Sequence, residues 1–436
     1  MRRIFAAIIA LCLAVPAIAQ SVIPNSPGRK PTVVIRNATI YPVTSAPITN
    51  GTIVFANGVI TAVGTNVTAP ADAMVIDGTG LSVYPGLIDS GTTIGLVEID
   101  SVPGTVDTTE LGTLNPNARA DVAVNPHTNV IPVTRVNGIT NAIVAPEGGV
   151  VSGQSAMIQL AGWTNAEMTL KAPAAMTVRF PRLRTRPLGT AVPDADEVKK
   201  QRKSYQDELE NLKQLFRNAQ AYAKAAGARA ADRNVKRFDR DLVLEAMVPV
   251  VEGRVPVAIE ANLARDIKPA LDFAEEFKLK MILVGAQDVA KFIPQLERRN
   301  IPVILGPILA LPPREDDPYD LLFSNAALLH QAGIRFAFRS NDAHNSRNLP
   351  YHAASAAAFG LPKEEALKAI TIYPAQIFGV ADKIGSLEVG KMANLFIADG
   401  DPLEIRTNVR RVFIAGEDIS MDSLHTLQYE KFRKRP

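Results

Sequence analysis

Cysteine is nearly absent: the chain of 436 residues has one, Cys12. It lies in a segment expected to be removed, so the mature chain has no disulfide and no thiol to serve as nucleophile or metal ligand. Histidine is scarce as well, with five in the chain: His127, His330, His344, His352 and His425. None forms an H-x-H or H-x-x-x-H pair, so their spacing supplies no ready-made metal site. An excess of one charge is also lacking. The formal net charge of +3 gives no reason to expect nucleic acid or an anionic membrane surface as a partner. Beyond the N-terminal segment no apolar run is long enough to cross a bilayer, which takes about 20 residues.

What is present is a core. Hydrophobic residues make up 47% of the chain and charged residues 21%, so global disorder is excluded. Residues 1–19 read as a signal peptide. Arg2 and Arg3 form its basic end, Ile4 to Val15 its apolar stretch, and Ala17-Ile18-Ala19 an A-x-A cleavage pattern that starts the mature chain near Gln20. The apolar stretch is short for a membrane anchor, and Leu11 precedes Cys12 where a lipoprotein signal favours a small residue. The expected destination is therefore secretion, with the periplasm favoured over the medium.

Residues 20–84 carry β-branched runs separated by Asn, Gly and Pro turns: Val33-Val34-Ile35, Thr39-Ile40-Tyr41, Gly51 to Val54 and Val59 to Val63. Residues 381–436 add Asn394 to Ala398 and Val409 to Ile414. The two ends are expected to pair as a small β-sandwich beside a central domain. Over residues 85–380 strand and helix signals alternate. Strands are expected at Asn141 to Val144, Pro256 to Glu260, Met281 to Val284, Pro302 to Leu305 and Ile334 to Phe338, with helices between the later ones. That rhythm implies parallel strands covered by helices. A helical insertion at about 163–245 interrupts it. Its long helix, Asp194 to about Gly227, opens with Asp194 and Glu197 at capping-box spacing. Val198, Tyr205, Leu209, Leu212, Phe216 and Ala219 line one face, read as packing on the central domain rather than as a lid or dimerisation element. Arg179, Arg182, Arg184 and Arg186 just before it read as a solvated arm.

Val83-Tyr84-Pro85-Gly86-Leu87-Ile88-Asp89 resembles the first barrel strand of the amidohydrolase superfamily. Ala366 to Thr371, Pro374-Ala375 and Ile384 to Leu395 resemble the same family's return from the barrel to its β-domain. The resemblance leans to the imidazolonepropionase-like and dipeptidase-like branch. It implies a (β/α)8 TIM-like barrel with chemistry at the C-terminal ends of the strands. The implied activity is hydrolysis of amide, cyclic amide or dipeptide C–N bonds by metal-activated water.

The family's His-x-His is missing. Gly91 and Thr93 stand at its two positions, and glycine offers no ligand atom. Glu260 stands at the next histidine position, and Gly306-Pro307 follows the strand where another is due. The family aspartate after the last strand falls in Arg339-Ser340-Asn341-Asp342-Ala343-His344. Counting from Ser340 makes it Asn341; a one-residue shift makes it Asp342. The Ala-His-Asn run that follows favours Asp342. The candidate catalytic pair is thus Asp342 with Glu260, one as general base and one as general acid. His344, Asn341 and Arg339 are candidate ligand contacts. No cofactor is expected, and zinc only if Glu260, Asp342 and His344 rebuild a site from other ligands.

Gly148 to Ser155 resembles a P-loop, but Gln154 replaces the lysine that would meet the phosphates, and a Gly-rich turn is the better reading. Met157 stands where a nucleophile elbow around Ser155 needs its second glycine. Two functions follow: an amidohydrolase impaired by its ligand replacements, or a pseudoenzyme. The pseudoenzyme would bind a small amide or peptide-like ligand, self-associate, or join a catalytic relative.

Overall fold

The computed structural model describes residues 30–183, 195–232 and 234–435. The expected signal peptide, Arg184, Arg186 and the capping residue Asp194 lie outside them. Five strands precede the barrel: β1 (Val33–Ile40), β2 (Ile48–Ala56), β3 (Val59–Gly64), β4 (Met74–Asp77) and β5 (Ser82–Pro85). Eight strands follow: β6 (Leu87–Thr92), β7 (Ile139–Val144), β8 (Val151–Gln159), β9 (Thr169–Arg179), β10 (Val257–Ala261), β11 (Met281–Gly285), β12 (Val303–Leu305) and β13 (Phe336–Phe338). The chain returns through β14 (Leu395–Ala398), β15 (Val409–Ile414) and β16 (Glu417–Ile419).

The terminal segments meet as expected. β14 pairs antiparallel with β5, so the strands expected as a sandwich form one hydrogen-bonded sheet in the order β16-β15-β14-β5-β1-β2-β3, with β4 beside β1. Alternation gives this sheet two apolar faces. Val33, Ile35, Ile53, Phe55, Leu395 and Phe413 form its own core. Tyr84, Phe396 and Val412 on the other side join the core that clothes the barrel. Asn394 fastens the two units. Its Nδ2 donates to Asn141 Oδ1 at 2.8 Å, its Oδ1 accepts from Ala415 N at 2.7 Å, and its carbonyl accepts from Gly86 N at 2.8 Å.

The second sheet runs β13-β12-β11-β10-β9-β8-β7-β6 and curls into a nearly closed barrel. Ile88, Ile143, Met157, Ile282, Ile304 and Ala337 fill its interior, and Ala375, Ile377 and Phe378 plug its floor. One strand departs from the all-parallel expectation: β8 is antiparallel to both β7 and β9. The reason is loop length. The connection 145–150 is too short for a crossover, which needs about a dozen residues. Gly148 and Gly149 sit there at φ +85° and +61°, where added Cβ atoms would meet Thr109 and the Thr113 carbonyl, so the Gly-rich run is a hairpin turn leading into β8.

The insertion boundary is also corrected. β9 lies inside the stretch expected as insertion, yet it pairs parallel with β10, so the insertion starts after Arg179. It comprises α1 (Ala195–Ala231) and α2 (Leu242–Val251). Leu212, Leu215, Phe216 and Ala219 of α1 are buried, as a three-to-four residue step predicts. Phe216 sits edge-on to Phe273 of α3 (Ala264–Glu276), with ring centroids 5.1 Å apart. Among the described residues no helix is long and apolar enough to cross a membrane.

Asn394→Ala removes both side-chain hydrogen bonds and leaves the Ala415 amide unpaired. The unfolding free energy is expected to fall by about 2 kcal/mol, read from the denaturant midpoint. Unchanged stability would show that this contact does not hold sheet and barrel together.

Candidate site at the barrel mouth

Side chains two apart on a strand point to the same side. Glu260 therefore follows Ala258, and Arg339 follows Ala337, on the barrel's inner side at the C-terminal ends of β10 and β13. The register places Arg179 of β9 directly beside Glu260. These three side chains form the top layer of the barrel on this side.

Arg339 organises the layer. Its Nη2 donates to Glu260 Oε1 at 2.9 Å, and its Nε donates to the Gly306 carbonyl at 2.9 Å. Its aliphatic stem lies against Gly91, where an added Cβ would stand 3.1 Å from Arg339 Cδ. One arginine thus touches three positions at which the sequence resemblance leads one to expect ligands: Gly91, Glu260 and Gly306. Gly306 itself needs to be glycine, because it adopts φ +118° and a Cβ there would meet the Arg339 carbonyl oxygen at 2.4 Å. The Arg339 side chain is 10% exposed and that of Glu260 25%. On the other side of Glu260, Arg179 Nε stands 3.6 Å from Oε2 and is 42% exposed. Burial pushes the Glu260 pKa up, but the Arg339 charge and hydrogen bond, with Arg179 and Arg182, hold it below the usual carboxylate range. Glu260 is a settled anion.

Beside this layer lies the seam between β13 and β6. Asn341 N donates to the Gly91 carbonyl at 2.9 Å. Asp89, fully buried, accepts from Ser340 N at 3.0 Å and Gly91 N at 3.1 Å on one oxygen and from Ser340 Oγ on the other. Burial nevertheless raises its pKa to about 7, against the Ser340 and Gly91 hydrogen bonds and the Arg339 charge.

The remaining expected site residues are dispersed. Asp342 shares no hydrogen bond or ion pair with Glu260 among the described residues. Its carboxylate accepts from Asn345 N at 2.9 Å and Asn345 Nδ2 at 3.0 Å, which folds its own loop. Asn341 is exposed with φ +55° and serves the seam through its backbone. His344 turns away: Nε2 lies 3.0 Å from the Glu98 carbonyl and Nδ1 3.7 Å from Asp100 Oδ2. It lines a separate cavity of about 320 Å³ with His425. Thr93 is half-buried, and His127 is exposed. His352 is buried, its pKa lowered by burial to about 4, and accepts from Ile308 N. The alternative set Glu260, Asp342 and His344 is therefore not assembled. Among the described residues no group of three His, Cys, Asp or Glu side chains is placed to hold a metal ion. Sequence reasoning missed Arg179 as the neighbour of Glu260 and Ser340 as the partner of Asp89. A readable signal was the pairing of a glycine at one family ligand position with a long cation at the end of the adjacent strand.

Above the mouth, between β9 and the first half of α1, lies a cavity of about 730 Å³ whose lining includes Arg179, Phe180, Arg182, Lys200 and Tyr205. The insertion, expected only to pack on the barrel, packs through Phe216 and also roofs this cavity.

Residues 323–419 match the amidohydrolase family, a stretch that includes Arg339 to Asp342 but not Gly91. Amidohydrolase tasK of Hapsidospora irregularis is 24% identical over 427 residues; the match covers 89% of this chain but 43% of that protein, so the chain spans less than half the length of this curated relative. An amidohydrolase from Thermotoga maritima MSB8 superposes with a TM-score of 0.78 at 27% identity, covering 89% of this chain and 99% of that one. Phenylurea hydrolase B shares the fold at a TM-score of 0.53 and 18% identity, covering 91% and 98%.

Ionisation of Asp89 carries a sign. With a native pKa near 7 and an unfolded value near 3.9, the native state keeps a proton that the unfolded state has released between those values. This group's contribution therefore makes stability fall as pH rises from about 4 to about 7, by up to about 1.4 kcal/mol per pH unit. Asp89→Asn is expected to flatten that slope in urea titrations across the range. An identical slope in the variant would show that Asp89 does not titrate there.

Proposed function

We propose, on the premise that the chain belongs to the amidohydrolase superfamily, that its barrel binds a small molecule without hydrolysing it. The observation that carries this reading is the Arg339 guanidinium, hydrogen-bonded to Glu260 and Gly306 and packed over Gly91.

The side chains present do not suit the family's metal. Gly91 and Gly306 have no side-chain donor, and Thr93 offers at most a neutral hydroxyl. Among the expected histidine positions Glu260 alone has a charged oxygen, and Arg339 engages it. A divalent cation next to that carboxylate would meet a fixed positive charge at hydrogen-bond range, and catalytic zinc sites take three protein ligands. The residues therefore do not assemble a site for the metal.

A guanidinium balances the Glu260 charge but performs neither of the metal's chemical tasks. It stays protonated at any accessible pH and has no open coordination position, so it does not generate hydroxide at neutral pH. Metal-free hydrolysis lacks a free base as well. Glu260 is held as an anion by arginine, Asp342 is bound by Asn345, and Asp89 is sealed at the seam. The cavity under α1 falls in the size range of small-molecule sites, about 300–1,000 Å³, and makes ligand binding the better use of the mouth.

The test uses the mature chain, which on this reading begins at Gln20 after export, purified without chelators. Elemental analysis is expected to find zinc, manganese and iron well below one per chain. Added zinc is expected to leave the melting temperature unchanged, because a ligand raises it only by binding the folded state. One tightly held equivalent that survives dialysis would refute the proposal.

A further inference from the structure

We infer that the cavity between the barrel mouth and α1 is an oxyanion site: it takes a small molecule through a carboxylate or phosphate held by Arg179, Arg182 and Lys200. The inference rests on the non-hydrolytic reading above and names its ligand class.

Charge is unbalanced around Glu260. One carboxylate faces three guanidinium groups, Arg339, Arg179 and Arg182. Arg339 takes the short hydrogen bond. At 3.6 Å, Arg179 has Coulomb attraction to Glu260 but no hydrogen bond. Arg182 and Lys200, both exposed, make no ion pair among the described residues. Arg179 and Arg182 line both the large cavity and a small recess beneath it, which ends at Glu260, Asn262 and Asp266. The two arginines thus border both spaces.

Two acids, Glu197 and Glu208, line the cavity beside these cations, and Asp266 lines the recess. Asp266 lies 3.9 Å from Arg265, and burial raises its pKa above the usual aspartate value despite Arg265 and Arg182. Glu208, on α1, takes the Ser204 hydroxyl at 3.3 Å, and Glu197 has its own partner. Each guanidinium has five N–H donors and no acceptor, and an ammonium has three. An oxyanion can take the place of water as acceptor, and arginine meets a carboxylate or phosphate with two parallel hydrogen bonds. Phe180 and Tyr205 give the same cavity apolar wall for the body of the molecule. Because Lys200 lies on α1 and the arginines on the end of β9 and just beyond it, an oxyanion between them ties the insertion to the barrel.

The test is isothermal titration and thermal shift of the mature chain with inorganic phosphate and with succinate, against sodium chloride at matched ionic strength. Saturable binding of one or both is expected; phosphate alone identifies a phosphate ligand and succinate alone a carboxylate ligand. Arg182→Gln and Lys200→Gln each remove an exposed cation and are expected to weaken binding about tenfold, since a charge-assisted hydrogen bond contributes about 1.5 kcal/mol or more. The double variant is expected to show none. Lys268→Gln, which removes an exposed lysine paired with Asp272 on α3, is expected to bind as the parent does. Absence of saturable binding in the parent, or undiminished binding in the double variant, would overturn the inference. Zinc content is measured on the same preparations. Zinc with Arg182-dependent anion binding would refute the non-hydrolytic reading and leave the oxyanion site standing. Neither zinc nor anion would refute the site alone.

Discussion

The ion pair between Arg339 and Glu260 sets the character of the barrel mouth. Both side chains issue from C-terminal strand ends, on the side where barrels of this kind gather their chemistry. A partly buried carboxylate needs a counter-charge, and here the chain's own Arg339 supplies it. The substitution is self-consistent in volume as well as charge. The arginine stem takes the space over Gly91, its Nε uses the Gly306 carbonyl, and its terminal nitrogen meets Glu260. A side chain larger than glycine at either position would press on the arginine or its backbone.

The same arginine reaches into the seam. Arg339, Ser340 and Asn341 are consecutive. The first binds Glu260, the second caps the buried Asp89, and the third donates its amide to Gly91. Closure of the barrel and composition of the mouth are therefore one local structure. Asp89 is only a few residues from Gly86, whose amide is held by Asn394 of the sheet domain. A contact chain thus runs from the sheet through the first barrel strand to the mouth.

Much of this plan is legible in the residues. Hydrophobic alternation and turn residues mark β1 to β3, and the strand–helix rhythm from Pro256 to Phe338 marks the parallel half of the barrel. The antiparallel β8 is not legible from apolar pattern, because a buried strand reads alike in either direction; only the short connection 145–150 carries the information. β9 was hidden because Pro173 and Lys171 interrupt its apolar pattern next to a strongly helical segment. At the site, Gly91, Thr93 and Glu260 mark what is missing, but what replaces it is tertiary. That Asp342 folds its own loop and His344 faces Glu98 follows from a few backbone angles after Ser340, among them the positive φ of Asn341. Residue type and spacing do not encode those angles.

The Arg339 guanidinium and the Glu260 carboxylate form a coupled, partly buried pair at the mouth. A double-mutant cycle with Arg339→Ala and Glu260→Gln, read by urea denaturation at pH 7, measures that coupling directly. Arg339→Ala is expected to destabilise by about 2 kcal/mol, because it removes the hydrogen-bonded partner of a partly buried carboxylate and leaves it only the longer contact to Arg179. The double variant should recover much of that loss, giving a coupling energy of about 2 kcal/mol. Additive losses, with a coupling near zero, would contradict the account.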